Sequence, residues 1–180
     1  REHIGFVFQF FNLLPMLSAR ENVVLPLTIA GEKPEQEWFD TLIAQVGLTD
    51  RLTHRPAELS GGQQQRVAIA RALVSRPTVV FADEPTGNLD STTSGEILDL
   101  VRHSVDEYGQ TTVMVTHDAH AASMADHILL LEDGLIVREM PRSEALRNRT
   151  DSRINVRHES ELADADLPKH LAFMGASGGF

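Results

Sequence analysis

The chain has 180 residues, of which 42% are apolar and 23% charged, with 26 acidic residues, 16 basic residues and no cysteine. This composition is ordinary for a soluble globular domain, and the lack of cysteine excludes disulfides, thiolate metal sites and cysteine nucleophiles. The net charge of −10 argues against an electrostatic nucleic-acid binder, and no apolar run approaches the roughly 20 residues that a membrane span requires.

The acidic charge lies in the first part of the chain. Residues 1–140 hold 20 acidic and 10 basic side chains, whereas residues 141–180 hold six of each and show no sustained apolar periodicity. We therefore predict one folded region over residues 1–140. Residues 141–180 are predicted to be a largely disordered tail, with at most a short helix around residues 143–148.

The first half of the chain is predicted to be mostly helical after one short strand. The apolar run Ile4–Phe8 is typical of a buried strand. A Ser-x-x-Glu spacing at residue 18 predicts a capped helix over 18–30, which Pro26 is expected to kink or to end early. Apolar residues at helical spacing between residues 38 and 46 predict a second helix.

In the second half, short β-branched runs alternate with helical patterns. The predicted elements are a helix at 62–75, a strand at 78–82, a helix at 92–108, a strand at 111–115, a helix at 120–124, a strand at 126–131 and, after a hairpin turn at 133–134, a strand at 135–137. Such alternation predicts an α/β fold built on a parallel sheet. Ligands of these sheets bind beyond the carboxyl ends of the strands.

Three polar segments lie at these positions, and the first opens a helix. It reads Leu-Ser-Gly-Gly-Gln-Gln-Gln-Arg over residues 59–66. Its two glycines allow another molecule to approach the backbone, and a helix N-terminus offers unpaired N–H groups to an anion. On its own, the segment is explained equally well as an ordinary capped helix start.

The second segment begins at the end of the strand at 78–82 and places Asp83 beside Glu84. Two adjacent carboxylates at a strand end suit a Mg²⁺ site and a general base for water. A strand that ends in a solvated acidic turn is the alternative.

The third segment, residues 115–118, ends the next strand and contains His117. His117 and His120 together suggest a metal pair, but a zinc site is disfavoured because no third ligand follows at helical spacing and the chain has no cysteine.

Taken together and in this order, the segments resemble the nucleotide-binding subunit of ATP-binding cassette (ABC) transporters. The matching motifs are the Q-loop glutamine Gln9, the signature Ser60-Gly61-Gly62-Gln63, the Walker B strand Val79–Glu84, the D-loop Gly87–Asp90 and the switch histidine His117. The resemblance covers about residues 1–139. Residues 10–30 look most like those of lipoprotein-releasing, macrolide-export and cell-division-type exporter ATPases.

The resemblance implies a P-loop NTPase-like α/β fold. It would have a mostly parallel sheet with helices on both faces and an inserted helical subdomain at about residues 12–75. The implied cofactors are ATP and Mg²⁺, and the implied partners are transmembrane permease subunits and a second copy of the ATPase, arranged head to tail. The implied location is cytoplasmic, peripheral on the inner face of the membrane.

The resemblance also implies a role for each matching residue. Asp83 and Gln9 would hold or sense Mg²⁺, Glu84 would activate the attacking water, and His117 would contact the γ-phosphate. The remaining matches are Ser60, Gly61, Gly62 and Gln63, which would bind the ATP of the opposite subunit, and Asp90, which would link the two sites.

One expected motif is missing, because the 180 residues contain no Gly-x-x-x-x-Gly-Lys-[Ser/Thr] phosphate loop (Walker A). In the family this loop precedes the Q-loop, and here residue 1 is an arginine eight residues before Gln9. We therefore expect an ATPase fragment, N-terminally truncated before the Q-loop and inactive by itself. The alternative is a remnant or an inactive partner subunit that offers only its signature motif.

Two other classes of ATPase share parts of this pattern. Chromosome-associated and DNA-repair ATPases place a long coiled coil between these motifs, whereas only 50 residues without heptads separate Gln9 from Ser60 here. No nucleic-acid partner is therefore expected. Soluble ABC proteins that act in translation carry two cassettes in one chain, and a single cassette leaves that alternative open for a longer parent.

Overall fold

The computed structural model describes residues 4–132, 135–141 and 169–174. Within them the helices are α1 (Ala19–Ala30), α2 (Gln36–Gln45), α3 (Gly61–Leu73), α4 (Ser91–Tyr108) and α5 (Ala119–Ser123). The strands are β1 (Ile4–Phe8), β2 (Val79–Asp83), β3 (Thr111–Thr116), β4 (His127–Glu132), β5 (Leu135–Pro141) and β6 (Lys169–Met174). Two short 3₁₀ turns, Thr49–Arg51 and Pro56–Glu58, lie between α2 and α3.

The strands form one sheet in the order β1-β2-β3-β6-β4-β5. Strands β1, β2 and β3 are parallel, as the alternation of strands and helices predicts. Strand β6 is antiparallel to both β3 and β4, and β5 is antiparallel to β4. The expected mostly parallel sheet is therefore confirmed for β1 to β3, while the other half of the sheet is joined by antiparallel pairs.

The predicted cap at residue 18 forms and starts α1. The Ser18 hydroxyl accepts from the Glu21 N–H, and the Glu21 carboxylate accepts from the Ser18 N–H at 2.7 Å. The pKa of Glu21 lies below its ordinary value because of this backbone hydrogen bond from Ser18. Pro26 does not end the helix, which continues to Gly31, where a left-handed backbone closes it.

The core lies between β1 to β3 and the helices that pack on one face of them. In β1, Gly5 and Val7 point toward α3, and a Cβ atom on Gly5 would come within 2.6 Å of the Ala72 carbonyl oxygen. The residues that alternate with them face the other way, and Phe6 stacks on Phe81 of β2 with ring centres 5.8 Å apart and remains half exposed. A glycine at residue 5 therefore lets α3 lie directly on the sheet.

The prediction of a largely disordered tail at 141–180 differs from the structure in two respects. Lys169–Met174 form strand β6 in the middle of the sheet, and β5 reaches Pro141, beyond the predicted strand at 135–137. No apolar alternation in the sequence indicates β6. The short helix predicted at 143–148 and the turn at 133–134 lie outside the described residues, although the antiparallel pairing of β4 with β5 agrees with a hairpin.

Candidate functional site

The ends of three parallel strands meet at one edge of the sheet. Asp83, the last residue of β2, is in register with Phe8 of β1 and with Val115 of β3. Gln9, Glu84 and His117 follow these strands within two residues and therefore lie at the same edge. The structure thus brings together side chains that are up to 108 positions apart in the sequence, as the carboxyl-end rule for parallel sheets predicts.

Glu84 and His117 are in direct contact. The His117 ring nitrogen Nδ1 lies 2.7 Å from Glu84 Oε1, and the His117 backbone N–H donates to the same oxygen at 3.1 Å. The Thr116 hydroxyl donates to the second oxygen, Oε2, at 3.3 Å. The Glu84 side chain is 15% exposed and that of His117 is 52% exposed. The carboxylate is therefore fixed by its neighbours, while the imidazole remains accessible from solvent.

The backbone of Glu84 is strained. Its φ of 44° lies in the left-handed region, which non-glycine residues adopt at an energetic cost. Its N–H donates to the Val115 carbonyl at 2.9 Å, and its carbonyl accepts from the Gly87 N–H at 3.1 Å. These bonds hold the turn that aims the carboxylate toward the end of β3.

Asp83 lies exposed at the end of β2, next to Glu84. Within the described residues, no group of three or more acidic or histidine side chains could hold a metal ion. Mg²⁺ takes oxygen ligands and in nucleotide sites needs only one or two carboxylates besides the phosphates, so Asp83 suits that ion.

Gln9 lies against the loop that follows Glu84. A Cβ atom on Gly87 would come within 2.9 Å of the Gln9 amide nitrogen, so the glutamine occupies the space that this glycine leaves open. The Asn88 amide donates to the Gln9 carbonyl at 2.9 Å. Asn88 is a contact that the sequence analysis missed, although it lies inside the Gly87–Asp90 motif.

The signature segment forms the start of α3. The Ser60 hydroxyl accepts from the Gln63 N–H at 3.3 Å, and Gln63 Oε1 accepts from the Ser60 N–H at 3.0 Å, which is a complete capping box. The capped helix start considered as the ordinary alternative is therefore present. The two glycines pack against Leu89 of the D-loop and Thr93 of α4. A Cβ atom added to Gly61 would lie 3.5 Å from Leu89, and one added to Gly62 would lie 2.5 Å from Thr93.

Asp90 begins α4. Its carboxylate accepts from the N–H groups of Thr92 and Thr93 and from the Thr93 hydroxyl, the last at 2.6 Å. The pKa of Asp90 lies below its ordinary value, chiefly because the Thr93 hydroxyl donates to the charged form. The side chain is thus ionised and oriented by the helix that it caps.

Helix α3 is tied to the carboxyl edge of the sheet by two further side chains that the sequence analysis missed. Gln65, fully buried, donates to the Pro85 carbonyl at 2.7 Å, and Arg71 donates to the carbonyls of Phe11 and Asn12 at 2.7 and 2.6 Å. Both arginine contacts join residues at least 59 positions apart. Periodicity and local spacing carry no signal for contacts of this range.

A groove of about 690 Å³ lies at the opposite edge of the sheet. Residues that precede β2 and β3 line it together with Trp38 of α2 and Tyr108 of α4. None of the predicted site residues borders this groove. The site therefore lies on the open carboxyl edge of β1 to β3, not in this groove.

These features define an α/β protein whose polar site lies at the carboxyl edge of parallel strands and beside the start of a helix. The family model described as ABC transporter matches residues 1–87. The chain is 50% identical over 143 residues to the macrolide export ATP-binding/permease protein MacB of Rhodopirellula baltica. This alignment covers 77% of this chain and 21% of that protein. It is 49% identical over 139 residues to the lipoprotein-releasing system ATP-binding protein LolD of Acinetobacter baylyi, covering 76% of this chain and 61% of that protein.

A solved structure agrees with these relatives. The ATP-binding cassette MJ0796, in a dimeric post-hydrolysis state bound to ADP and Pi, superposes with a TM-score of 0.68 at 44% identity and covers 78% of this chain and 63% of its own. The chain belongs to the ABC transporter family, as an ATP-binding domain of the LolD and MacB type. It spans about three fifths of the LolD relative and about one fifth of the MacB relative.

Across the part of the chain that the structure describes, no helix combines the length and the apolar character that crossing a bilayer requires.

Proposed function

We propose that this chain is the part of an ABC transporter ATPase that positions the attacking water, binds the γ-phosphate of the ATP held by the partner subunit and contacts the permease. The single observation that carries the proposal is the contact of Glu84 with His117 at the carboxyl edge of β2 and β3. The motif order and the 44% identity to a cassette bound to ADP and Pi support ATP as the substrate. The names of the relatives, lipoprotein release and macrolide export, support an exporter as the parent transporter.

In this proposal Glu84 acts as the general base. Its carboxylate is held by three hydrogen-bonding groups of Thr116 and His117, so the oxygen that accepts the proton of water needs no reorientation. The His117 ring lies with Nδ1 against Glu84, and we assign Nε2 to an oxygen of the γ-phosphate; because both oxygens are acceptors, the ring would act here as an imidazolium that donates from both nitrogens. Phosphoryl transfer depends mainly on such positioning and charge stabilisation, which is what a fixed carboxylate and an accessible imidazole supply.

Asp83 and Gln9 would hold Mg²⁺, which when bound neutralises phosphate charge. The exposed carboxylate of Asp83 and the amide oxygen of Gln9 are ligands of the type that Mg²⁺ prefers, and both follow adjacent strands. Glu84 beside them is engaged with His117 and Thr116. This difference in partners supports separate roles for the two adjacent carboxylates.

The start of α3 would bind the γ-phosphate of a partner subunit in a head-to-tail homodimer. Ser60 satisfies the N–H of Gln63, so the amides of Gly61 and Gly62 before it are the ones that we assign to phosphate oxygens. Asp90, fixed at the start of α4 and close to Gly62 through Thr93, would link the two nucleotide sites. The dimeric state of the MJ0796 cassette supports this arrangement.

The permease would dock beside Gln9. Three apolar side chains in the segment that follows it are exposed, namely Phe10 at 72%, Leu14 at 46% and Met16 at 82%. Exposed apolar residues grouped in one loop are typical of a protein interface. Residues 12–75, which include α1, α2 and α3, would form the helical subdomain, and the chain would lie at the cytoplasmic face of the membrane through the permease.

The phosphate loop has no counterpart within the 180 residues. We propose that these residues alone bind ATP weakly and do not hydrolyse it, and that hydrolysis requires a phosphate loop supplied from outside them. The second candidate is an inactive partner that offers only the signature motif, and the intact capping box at Ser60 favours it. It gives no function to the contact between Glu84 and His117.

The test uses a chimaera in which the phosphate-loop segment of the Acinetobacter baylyi relative is joined ahead of Arg1. The chimaera is expected to hydrolyse ATP only with Mg²⁺, and Glu84→Gln should lower kcat by at least about 100-fold, as removal of a general base does. Glu107→Gln, an exposed carboxylate near the end of α4, is the matched control and should leave kcat unchanged. Unchanged turnover by Glu84→Gln would contradict the proposal, and an inactive chimaera that still binds ATP would favour the second candidate.

A further inference from the structure

The loop that carries Gln9 has an unusual backbone. Phe11 and Asn12 both adopt left-handed conformations, with φ of 61° and 49°. Two consecutive non-glycine residues in this region are disfavoured because each Cβ atom crowds its own backbone. Local hydrogen bonds stabilise this conformation, since the Phe11 N–H donates to the Phe8 carbonyl and the Asn12 N–H donates to the Phe10 carbonyl. A conformation of this kind persists only when surrounding groups hold it.

Arg71 of α3 is the group that holds it from the side of the helix. Its two terminal nitrogens donate to the Phe11 and Asn12 carbonyls, at 2.7 and 2.6 Å. These are the carbonyls of the two left-handed residues, and the planar guanidinium is suited to bind both at once. The Arg71 side chain is partly buried where it makes these contacts, and this burial lowers the pKa of its guanidinium.

The opposite side of the same loop is held by Asn88, whose amide donates to the Gln9 carbonyl. The loop of residues 9–12 is therefore attached to two elements at once. One is α3, which begins at Ser60, and the other is the segment that follows Glu84. Arg71 lies ten residues after Gly61, about 15 Å further along α3, and the Phe11 ring of the loop also lies beside the signature motif, 3.8 Å from the position of a Cβ atom on Gly61.

We propose that Arg71 is a positioning residue that keeps the Gln9 loop in its left-handed conformation and joins it rigidly to the signature helix. A displacement of α3 then moves the Gln9 backbone together with the exposed Phe10, while Asn88 keeps that backbone in register with the Glu84 turn. The position of the loop is thereby determined by α3, the helix whose N-terminus binds the γ-phosphate of the ATP held by the partner subunit. This inference rests on the proposed function for the roles of Gln9 and Ser60. The clamp itself, by which we mean the two hydrogen bonds from Arg71 to the Phe11 and Asn12 carbonyls, does not depend on that function.

The first experiment measures the clamp without any nucleotide. In the 180-residue chain, Arg71→Gln and Arg71→Lys should raise amide hydrogen exchange at residues 9–14 by at least tenfold, and the Cα chemical shifts of Phe11 and Asn12 should leave the left-handed range. Arg66→Gln is the matched control, because Arg66 lies on the same helix but binds the Val46 carbonyl and Glu96. Arg66→Gln should leave the amide exchange rates and the Cα chemical shifts of residues 9–14 unchanged. Unaltered exchange and shifts in both Arg71 variants would overturn the clamp.

The second experiment measures the positioning role in the chimaera. Arg71→Lys, which keeps the charge but not the two-pronged donor, is expected to lower kcat at least tenfold while KM for ATP stays within twofold, and Asn88→Ala should lower kcat in the same way. A kcat equal to that of Arg66→Gln, together with a loosened loop, would overturn the positioning role. If the unsubstituted chimaera is inactive, the proposed function fails, and the exchange and shift measurements still decide the clamp.

Discussion

Gly62 is the position where the packing of the signature segment can be tested most sharply. A Cβ atom at residue 62 would lie 2.5 Å from the Thr93 Cγ2 methyl, a separation that real contacts do not show. Thr93 cannot rotate away cheaply, because its χ1 is restricted by β-branching and its hydroxyl is bonded to Asp90 at 2.6 Å. We therefore expect Gly62→Ala to move α3 away from the start of α4.

The expected magnitude follows from two opposing effects. Overpacking of this kind costs about 1–3 kcal/mol, whereas replacing a helical glycine by alanine contributes up to about 1 kcal/mol. Gly62→Ala should thus lower the free energy of unfolding by about 0–3 kcal/mol. Thr93→Ser removes the offending methyl but keeps the hydroxyl, and the next Thr93 atoms are 3.9 Å and 4.0 Å away. In that background Gly62→Ala should be neutral or stabilising.

The assay is a double-mutant cycle by denaturant unfolding of the 180-residue chain, with an expected coupling of about 1–3 kcal/mol between the two positions. Gly95→Ala is the control, since Gly95 is also helical but a Cβ there meets no atom within 4 Å. It should stabilise the chain with either Thr93 or Ser at position 93. An equal effect of Gly62→Ala in both backgrounds would refute the proposed contact.

Substitutions at three further positions test the capping and anchoring of the same helices. Ser60→Ala should cost about 1 kcal/mol in unfolding experiments because the Gln63 N–H loses its acceptor, and Ser60→Thr should recover most of it. Gln65→Leu should cost about 1–3 kcal/mol, since the Pro85 carbonyl loses its buried donor, and an unchanged unfolding midpoint would contradict that contact. The lowered pKa of Asp90 means that its ionised form contributes stability above the ordinary value of 3.8, and that this contribution is lost as the pH falls through the lowered value. The stability advantage over Asp90→Asn should therefore shrink in acid, and a pH-independent difference would contradict it.

Local chemistry made much of the fold predictable from the sequence. Ser18 starts α1 through the side-chain bond that its spacing predicts, and Gly109 ends α4 in the left-handed region, as a glycine after the last apolar residue indicates. Glu84 and His117 could be placed near one another because both follow buried strands of a parallel sheet. The prediction at Pro26 was less exact, because α1 tolerates the proline where an early end was one expected outcome.

The remaining contacts depend on packing between distant residues. The left-handed conformations of Phe11 and Asn12 have no sequence signature, since neither is a glycine, and their stabilisation comes from Arg71, 59 to 60 residues away. Strand β6 contains the apolar run Leu-Ala-Phe-Met at residues 171–174, but so short a run does not indicate a pairing with β3 and β4, which lie far earlier in the chain. Periodicity therefore indicated many of the helices and strands, whereas the conformation of the loop at residues 9–12 had no signal in the sequence.

In the proposed mechanism Glu84 activates the water that attacks a nucleotide bound between two subunits. The most direct measurement of this role follows the Glu84→Gln chimaera with Mg²⁺ and radiolabelled ATP by light scattering coupled to size exclusion. We expect a stable dimer that retains intact ATP, while the unsubstituted chimaera releases ADP and returns to monomers. A Glu84→Gln dimer that contains ADP and phosphate, formed as fast as in the unsubstituted chimaera, would contradict the role of Glu84.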